Sequence, residues 1–148
     1  MHDNNLFLGS VAGLNDPEFL RRELGVTAVV SIAPQLTPEF KAKLANVGFP
    51  QGVHYEDGGS SHRSFRTDPA ICGRLVALVV NLVSSGAVVF LHCRSGMHRS
   101  VAVATGYLMV RELAPWDRAF QFVRCARPCA SDRYRTLVEL ALGRVDAD

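Results

Sequence analysis

Residues 92–100 read His-Cys-Arg-Ser-Gly-Met-His-Arg-Ser, and the segments on either side of them restrict the fold. Residues 87–91, before this stretch, form an apolar run with the length and β-branched content of a buried strand. Residues 101–112, after it, have the length and spacing of an amphipathic helix. The sequence therefore predicts a strand, a tight loop and a helix start, a geometry that forms an anion site.

Cys93 and Arg99 carry the side chains that phosphate chemistry requires. Backbone amides of the loop and the positive end of the helix dipole converge on one point, where Arg99 adds a planar fork of donors matched to phosphate oxygens. Cys93 then lies in an electropositive place that favours a thiolate, which is a nucleophile beside a bound phosphate monoester. An inert buried thiol at a strand end is the alternative. The spacing of Gly96, Arg99 and Ser100 argues against it.

These residues resemble a known family. His92, Cys93, Gly96, Arg99 and Ser100 match the His-Cys-x-x-Gly-x-x-Arg-Ser signature of cysteine-dependent protein phosphatases, and the chain is similar to the small (atypical) dual-specificity branch. Weaker matches agree with it at residues 6–10, 24–30 and 127–128, and at Tyr134 and Leu137. The resemblance implies a phosphomonoester hydrolase that acts on phosphotyrosine and phosphoserine or phosphothreonine in proteins through a phosphocysteine intermediate.

The resemblance also implies a role for each loop residue. Cys93 is the nucleophile, Arg99 binds the phosphate, and the Ser100 hydroxyl donates to the sulfur, which makes Cys93 a better leaving group. His92 is expected to orient the loop and Arg127 to support it. The other phosphate-binding positions are Arg94, Ser95, Gly96, Met97 and His98. Arg94 and His98 fill variable positions and can equally face solvent, but an imidazole at the rim could influence substrate choice.

Asp57 is the predicted general acid, because expelling an alkoxide or phenoxide from phosphorus requires a proton. The family places an aspartate on a loop before the cysteine, and Asp57 precedes Cys93 by 36 positions, just before Gly58-Gly59. Glu56 is one alternative, although strand alternation points it to the opposite side. Asp68 is the other, although its place before a proline is typical of a helix cap.

Two further arginines follow the predicted acid. Arg63 and Arg66, near His62, could contact a second anionic group of a substrate. A solvated loop is the preferred interpretation of this segment.

The order of elements predicts an α/β fold with a largely parallel central sheet of four to five strands flanked by helices. In such a sheet the ligand site lies at the carboxyl ends of the strands, where Cys93 is expected. Strands are predicted at 6–9, 27–32, 53–55 and 87–91, and helices at 16–24, 37–45, 68–84 and 101–112, from 115 onwards and at 131–142. Relatives usually have another strand before residue 6, so it is lost here or the chain has been trimmed.

Length, charge and cysteine content indicate the number of domains, the partners and the cellular compartment to expect. At 148 residues, 48% of them apolar, residues 1–148 are expected to form a single catalytic domain. The net charge is +2 and the chain has no run of basic residues, so we expect no nucleic-acid partner. We also expect no membrane anchor, because no apolar stretch is long enough to span a bilayer. Without a secretory signal, the four cysteines indicate a reducing, cytoplasmic setting, with nuclear entry left open. We expect a monomer with no cofactor and no metal.

Cys72, Cys125 and Cys129 are the remaining cysteines. Each is best interpreted as a small core or turn residue. A disulfide that protects Cys93 from oxidation is the alternative.

Other activities remain as alternatives. Related enzymes dephosphorylate phosphoinositides, RNA 5′ ends or phosphoglucans. Lipid phosphatases favour lysines in the loop, whereas Arg94 is the only added fixed cation between Cys93 and Arg99. A phosphate-binding module without turnover would typically lack Cys93 or Arg99, and both are present. A rhodanese-like sulfur carrier would not need Arg99 followed by Ser100.

Overall fold

The fold is built on one parallel sheet. The structure is a computed structural model, and it describes residues 5–32, 42, 53–55, 68–94 and 97–143. In these ranges four strands pair in the order β1-β4-β2-β3, all in parallel. Their bounds are β1 Leu6–Ser10, β2 Ala28–Ile32, β3 Val53–Tyr55 and β4 Val89–Cys93. The predicted α/β fold with a parallel sheet flanked by helices is confirmed.

Five α-helices lie within the described ranges: α1 Pro17–Arg22, α2 Pro69–Ser84, α3 Arg99–Arg111, α4 Trp116–Ala126 and α5 Arg135–Ala141. Both predicted aspartate caps are confirmed, because an Oδ1 atom of Asp16 accepts from the Phe19 amide (3.1 Å) and one of Asp68 from the Ala70 amide (2.9 Å). A short 3₁₀ helix at Val11–Asn15 was not predicted. Of the helix predicted at 37–45, only Ala42 is described, and it is helical.

The predicted bounds at the signature segment were wrong by two residues. Strand β4 runs to Cys93 instead of residue 91, because the backbones of His92 and Cys93 still pair with both neighbouring strands. Helix α3 begins at Arg99 instead of residue 101. Cys93 and Arg99 are thus the last residue of a strand and the first of a helix.

The start of α5 was also wrong. The Ser131 hydroxyl accepts from the Arg133 amide, 3.2 Å away, and the Arg135 amide donates to the Asp132 carbonyl. These local bonds hold a turn, and the helix begins only at Arg135.

Alternation along β4 separates the side chains of the signature segment. Leu91 and Cys93 lie in the main hydrophobic core, together with residues of α2, α3, α4 and α5. Phe90 and His92 lie on the opposite face, where their rings stack with centroids 5.7 Å apart. Cys93 is therefore embedded on the helix side, and His92 is held from the other side of the sheet.

Helix packing in this core depends on one close approach. A Cβ atom at Gly106 of α3 would lie 2.7 Å from a methyl of Val76 on α2 and 3.3 Å from one of Val138 on α5. The helical period predicts one buried face on α2, formed by Ile71, Leu75, Leu78, Val79 and Leu82. Leu78 and Leu82 are only partly buried, and the buried residues are Ile71, Cys72, Leu75, Val76, Val79 and Val83. The Val76 side chain thus occupies the space beside Gly106, so α2 and α3 approach each other closely at this point.

Helix α4 packs on α3 through Trp116, Ala119 and Val123, which are buried. Phe120 is partly buried, and its ring stacks on that of Trp116 with the ring centroids 5.3 Å apart. In the part of the chain that the structure describes, no helix has the length and hydropathy to span a bilayer.

Candidate active site

The junction of β4 and α3 brings three of the predicted catalytic residues together. Cys93 is 1% exposed, and its Sγ atom lies 3.2 Å from the Oγ atom of Ser100, itself fully buried. A hydroxyl at this distance can donate to a thiolate or to a sulfur that is becoming one. The contact is therefore suited to stabilising negative charge on Cys93.

Arg99 precedes Ser100 as the first residue of α3. Its side chain is 6% exposed, and its Nη1 atom is buried without a hydrogen-bond partner among the described residues. A buried guanidinium nitrogen without an acceptor is costly, and an anion bound at the helix start would provide one. The arrangement favours a negatively charged ligand next to Cys93.

His92 is fully buried and bonded on both ring nitrogens. Its Nδ1 atom lies 3.3 Å from the Cys93 carbonyl oxygen, and its Nε2 atom lies 2.6 Å from the Ser31 hydroxyl of β2. Because a carbonyl can only accept, Nδ1 carries the proton and Nε2 accepts from Ser31. The pKa of His92 is lowered to about 4, mainly by burial. The hydrogen bond to the Cys93 carbonyl raises this pKa, and the positive charge of Arg99 lowers it further. A neutral, doubly anchored imidazole is suited to orienting the loop rather than to transferring protons.

Ser31 was missed by the sequence analysis. The available signal was a single hydroxyl at the carboxyl end of an apolar, fully buried strand. A buried hydroxyl requires a partner, and the register of β2 and β4 places Ser31 opposite His92.

The segment after α4 supports the loop through its backbone. The Ala130 amide donates to the Arg127 carbonyl at 2.9 Å and closes a turn, and the Ser131 amide donates to the Met97 carbonyl at 3.0 Å. Arg127 is half-buried at the end of α4, and its predicted role, as part of a turn that supports the loop, stays a prediction. The observed contact comes from Ser131.

The rim of the loop is cationic. Arg94 is exposed, and Met97 and His98 are half-buried. The pKa of His98 is lowered, first by burial and then by the positive charges of Arg133 and Arg99. Arg133, which the sequence analysis did not single out, is therefore close enough to the loop to act on it electrostatically.

Several predicted residues lie outside the described residues. They are the general acid Asp57 with its alternative Glu56, the loop residues Ser95 and Gly96, and Arg63 and Arg66. Asp68 is described, and it caps α2 as its position indicated. The choice of Asp57 as the acid stays a prediction.

The other cysteines differ from Cys93 in their surroundings. Cys72 is fully buried, and burial raises the pKa of its thiol to about 12, so it stays protonated at physiological pH. Cys125 and Cys129 are exposed, and none of the four cysteines forms a disulfide. Across the described ranges, no three potential metal-ligating side chains cluster. Cys72 is confirmed as a core residue.

Comparison with known proteins finds dual specificity protein phosphatases among the relatives of the chain. No protein-family model matches the chain. The chain is 30% identical to human dual specificity protein phosphatase 12 over 128 residues, which is 83% of this chain and 34% of that protein. It is 29% identical to Arabidopsis thaliana dual specificity protein phosphatase 1B over 122 residues, 82% of this chain and 67% of that protein. Thus the chain spans about a third of the length of the first of these relatives.

Solved structures show the same likeness. The crystal structure of human DUSP28 superimposes with a TM-score of 0.69 at 27% identity, covering 93% of this chain and 87% of that one. The fold of the chain, with the signature segment at the end of β4, is thus similar to that of human DUSP28. Over most of its length the chain is therefore similar to dual specificity protein phosphatases.

Proposed function

We propose that the chain is a phosphomonoester hydrolase that removes phosphate from phosphotyrosine and from phosphoserine or phosphothreonine in proteins through a phosphocysteine intermediate. The observation that carries the proposal is the group formed by Cys93, Ser100 and Arg99. A buried sulfur lies within hydrogen-bonding distance of a buried hydroxyl, and the buried guanidinium beside them has a nitrogen with no acceptor in the described residues.

In the first step the Cys93 thiolate attacks phosphorus in line with the leaving oxygen. The sulfur–phosphorus bond forms as the phosphorus–oxygen bond breaks, and Asp57 gives its proton to the departing oxygen. Arg99 and the amides of residues 94–99 hold the three phosphoryl oxygens and stabilise their charge in the transition state.

In the second step a water molecule attacks the phosphocysteine. Asp57, now a carboxylate, takes a proton from that water, the phosphorus–sulfur bond breaks, and inorganic phosphate leaves. Ser100 donates to the sulfur as negative charge returns to it. Neutral His92 takes no proton in either step and holds the backbone of Cys93 through its carbonyl.

The test of the proposal separates chemistry from phosphate binding. Cys93→Ser should abolish hydrolysis of an aryl phosphate while still binding inorganic phosphate in calorimetry. Arg99→Lys should lose about 10²–10³-fold in kcat, because an ammonium cannot make the two-pronged contact. Arg111→Lys, at the other end of α3, is the matched control. Hydrolysis retained by a clean Cys93→Ser preparation would refute the mechanism.

Measuring kcat/KM for a panel of substrates distinguishes a protein phosphatase from the alternative activities. Phosphotyrosine, phosphoserine and phosphothreonine peptides should be hydrolysed with higher kcat/KM than phosphoinositides, phosphoglucan or triphosphorylated RNA. A higher kcat/KM for one of the non-protein substrates would move the proposal to that class. Phosphate binding without hydrolysis of any of them would favour a binding module.

The organisation of the working protein is part of the proposal. We take residues 1–148 as one catalytic domain that acts as a monomer in a reducing, cytoplasmic or nuclear setting. Within the described residues, one hydrophobic core joins α2, α3, α4 and α5 to the sheet, which supports a single domain. The four cysteines form no disulfide, which supports a reducing setting. Light scattering of the purified protein across its working concentrations tests the monomer.

A further inference from the structure

A histidine occupies the position at which helix α3 starts. The His98 carbonyl accepts from the Ala102 amide at 2.9 Å, which begins the helical bonding, and within the described part of the chain the imidazole makes no capping bond to the helix amides. A residue at this position usually presents a side-chain oxygen to those amides. His98 instead places a side chain that can gain a proton at the positive end of the helix.

The same helix end is suited to an anion. Arg99 is 6% exposed, and its Nη1 atom is buried without a hydrogen-bond partner among the described residues. The positive charge of Arg99 lowers the pKa of His98, so the two side chains are electrostatically coupled. An anion bound by Arg99 therefore acts on the same imidazole with the opposite sign.

Before an anion binds, the charges that act on His98 are positive. Its pKa is lowered by burial, then by the charge of Arg133 and then by that of Arg99. Arg133 belongs to the turn that supports the loop, because its amide donates to the Ser131 hydroxyl and the Ser131 amide donates to the Met97 carbonyl. In the described parts of the loop and of this turn, the other groups that can carry charge are Cys93, Arg94, Arg127, Cys129 and Asp132.

We propose that His98 takes up a proton from solvent when a dianionic phosphate group binds in the loop, and returns it when phosphate leaves. Without the anion, a neutral imidazole avoids a third positive charge beside Arg99 and Arg133. With the dianion bound, the imidazolium becomes the favoured form and stabilises the bound anion in return. This inference rests on the proposed function for the identity of the ligand, and it adds a proton to the binding step.

Proton uptake gives the affinity a definite dependence on pH. Below the pKa that His98 has without the anion, the imidazole is already charged and Kd is lowest. As pH rises above that pKa, binding has to include proton uptake and Kd rises. Above the higher pKa of the complex no proton is taken up, and Kd becomes constant. Because a nearby opposite charge changes the proton affinity of a group about 10-fold or more, the two limits of Kd should differ by at least that factor.

The experiment measures sulfate binding by calorimetry in the Cys93→Ser background between about pH 5 and about pH 8.5. Sulfate stays a dianion over this range and the nucleophile can no longer ionise, so neither contributes a titration of its own. His98→Gln is always neutral and His98→Lys is always positive. Asp132→Asn is the matched control, since it removes the carboxyl group of the supporting turn. Buffers of different ionisation enthalpy give the number of protons taken up.

We expect the Kd for sulfate to rise at least about 10-fold with pH, with at most about one proton taken up in between. His98→Gln should bind weakly and His98→Lys tightly, both without proton uptake and with a nearly constant Kd. Asp132→Asn should keep the full pH dependence. A pH dependence that persists in His98→Gln, or that disappears in Asp132→Asn, would overturn the inference. A constant Kd in the Cys93→Ser background, or no sulfate binding at any pH, would overturn it as well.

Nuclear magnetic resonance separates this inference from the proposed function. The ring signal of His98, assigned by its loss in His98→Gln, gives the pKa of the imidazole with and without sulfate. A pKa that rises when sulfate binds supports the inference even if the original protein hydrolyses no phosphomonoester, in which case only the proposed function fails. A pKa that stays the same with sulfate bound, in a protein that hydrolyses a phosphotyrosine peptide, would refute the role of His98 and leave the proposed function standing.

Discussion

The Sγ atom of Cys93 and the Oγ atom of Ser100 lie 3.2 Å apart, both buried, across the junction of β4 and α3. The two residues are seven positions apart in sequence, and the strand-to-helix turn brings their side chains together. In the proposed mechanism this contact matters most when the phosphorus–sulfur bond breaks, because the sulfur then regains its negative charge.

Ser100→Ala should therefore slow the breakdown of the phosphocysteine more than its formation. A hydrogen bond to a charged group contributes ~1.5–3 kcal/mol, so we expect a fall in kcat of about 10- to 100-fold. Stopped-flow measurement with an aryl phosphate should show a burst that is larger relative to the steady rate. Thr105→Ser, which keeps the hydroxyl bond to the Val101 carbonyl within α3, is the control. If Ser100→Ala has the same kcat as the original protein and shows no burst, the hydroxyl does not assist the leaving sulfur.

Asp57→Asn tests the acid. General acid catalysis contributes ~10²–10⁴-fold, so kcat should fall by about that factor for phosphoserine and by less for an activated aryl ester. The basic limb of the kcat/KM pH profile should flatten, since it reports loss of the acid's proton. Asp68→Asn is a matched control, because asparagine can keep the cap on α2. If Asp68→Asn or Glu56→Gln changes the leaving-group dependence and Asp57→Asn does not, the assignment is wrong.

His92 should make stability depend on pH. Its pKa is about 4 in the folded protein and 6.5 for an unperturbed side chain, so between these values the unfolded chain binds a proton that the folded protein does not. The free energy of unfolding should therefore fall as pH drops from 6.5 to 4, by about 3 kcal/mol from this residue. Urea unfolding between pH 6.5 and pH 4 should show that the free energy of unfolding falls less in His92→Asn than in the original protein. Parallel curves for the two proteins would show that the imidazole is not buried in its neutral form.

Two glycines test the helix packing. A Cβ at Gly106 would overlap Val76, so Gly106→Ala should destabilise by about 1–2 kcal/mol, although alanine is the better helix former. At Gly73 of α2 the nearest atoms to an added Cβ are 3.8 Å away, so Gly73→Ala should stabilise by about 0.5–1 kcal/mol. Chemical denaturation measures both. Opposite signs are expected, and a stabilised Gly106→Ala would refute the close packing of α2, α3 and α5.

Much of this architecture could be predicted from local patterns. Aspartate–proline pairs marked the starts of α1 and α2, and the apolar runs marked buried strands, because these signals act within a few residues. The end of β4 could not be placed, since a strand buried on both faces has no alternation to show where pairing stops. The start of α5 was missed because Ser131 accepts the Arg133 amide in a turn instead of capping a helix.

The candidate site likewise has features that the sequence predicts and features that only the structure reveals. Cys93, Arg99 and Ser100 could be predicted as site residues from the sequence, because one short segment contains all three. The bond between Ser31 and His92 joins residues 61 positions apart, so only the register of β2 against β4 reveals it. The bond from the Ser131 amide to the Met97 carbonyl also joins residues that are distant in the sequence, so only the structure reveals it.

The most direct test of the account is chemical trapping of the phosphoenzyme. Ser100→Ala, in which breakdown should be slow, is mixed with a phosphotyrosine peptide, quenched in acid during turnover and analysed by peptide mass spectrometry. The account predicts phosphate on the peptide that contains Cys93, and none when Cys93→Ser is added to the same background. Turnover with no phosphate on Cys93 at any quench time, or with phosphate on another residue, would contradict it.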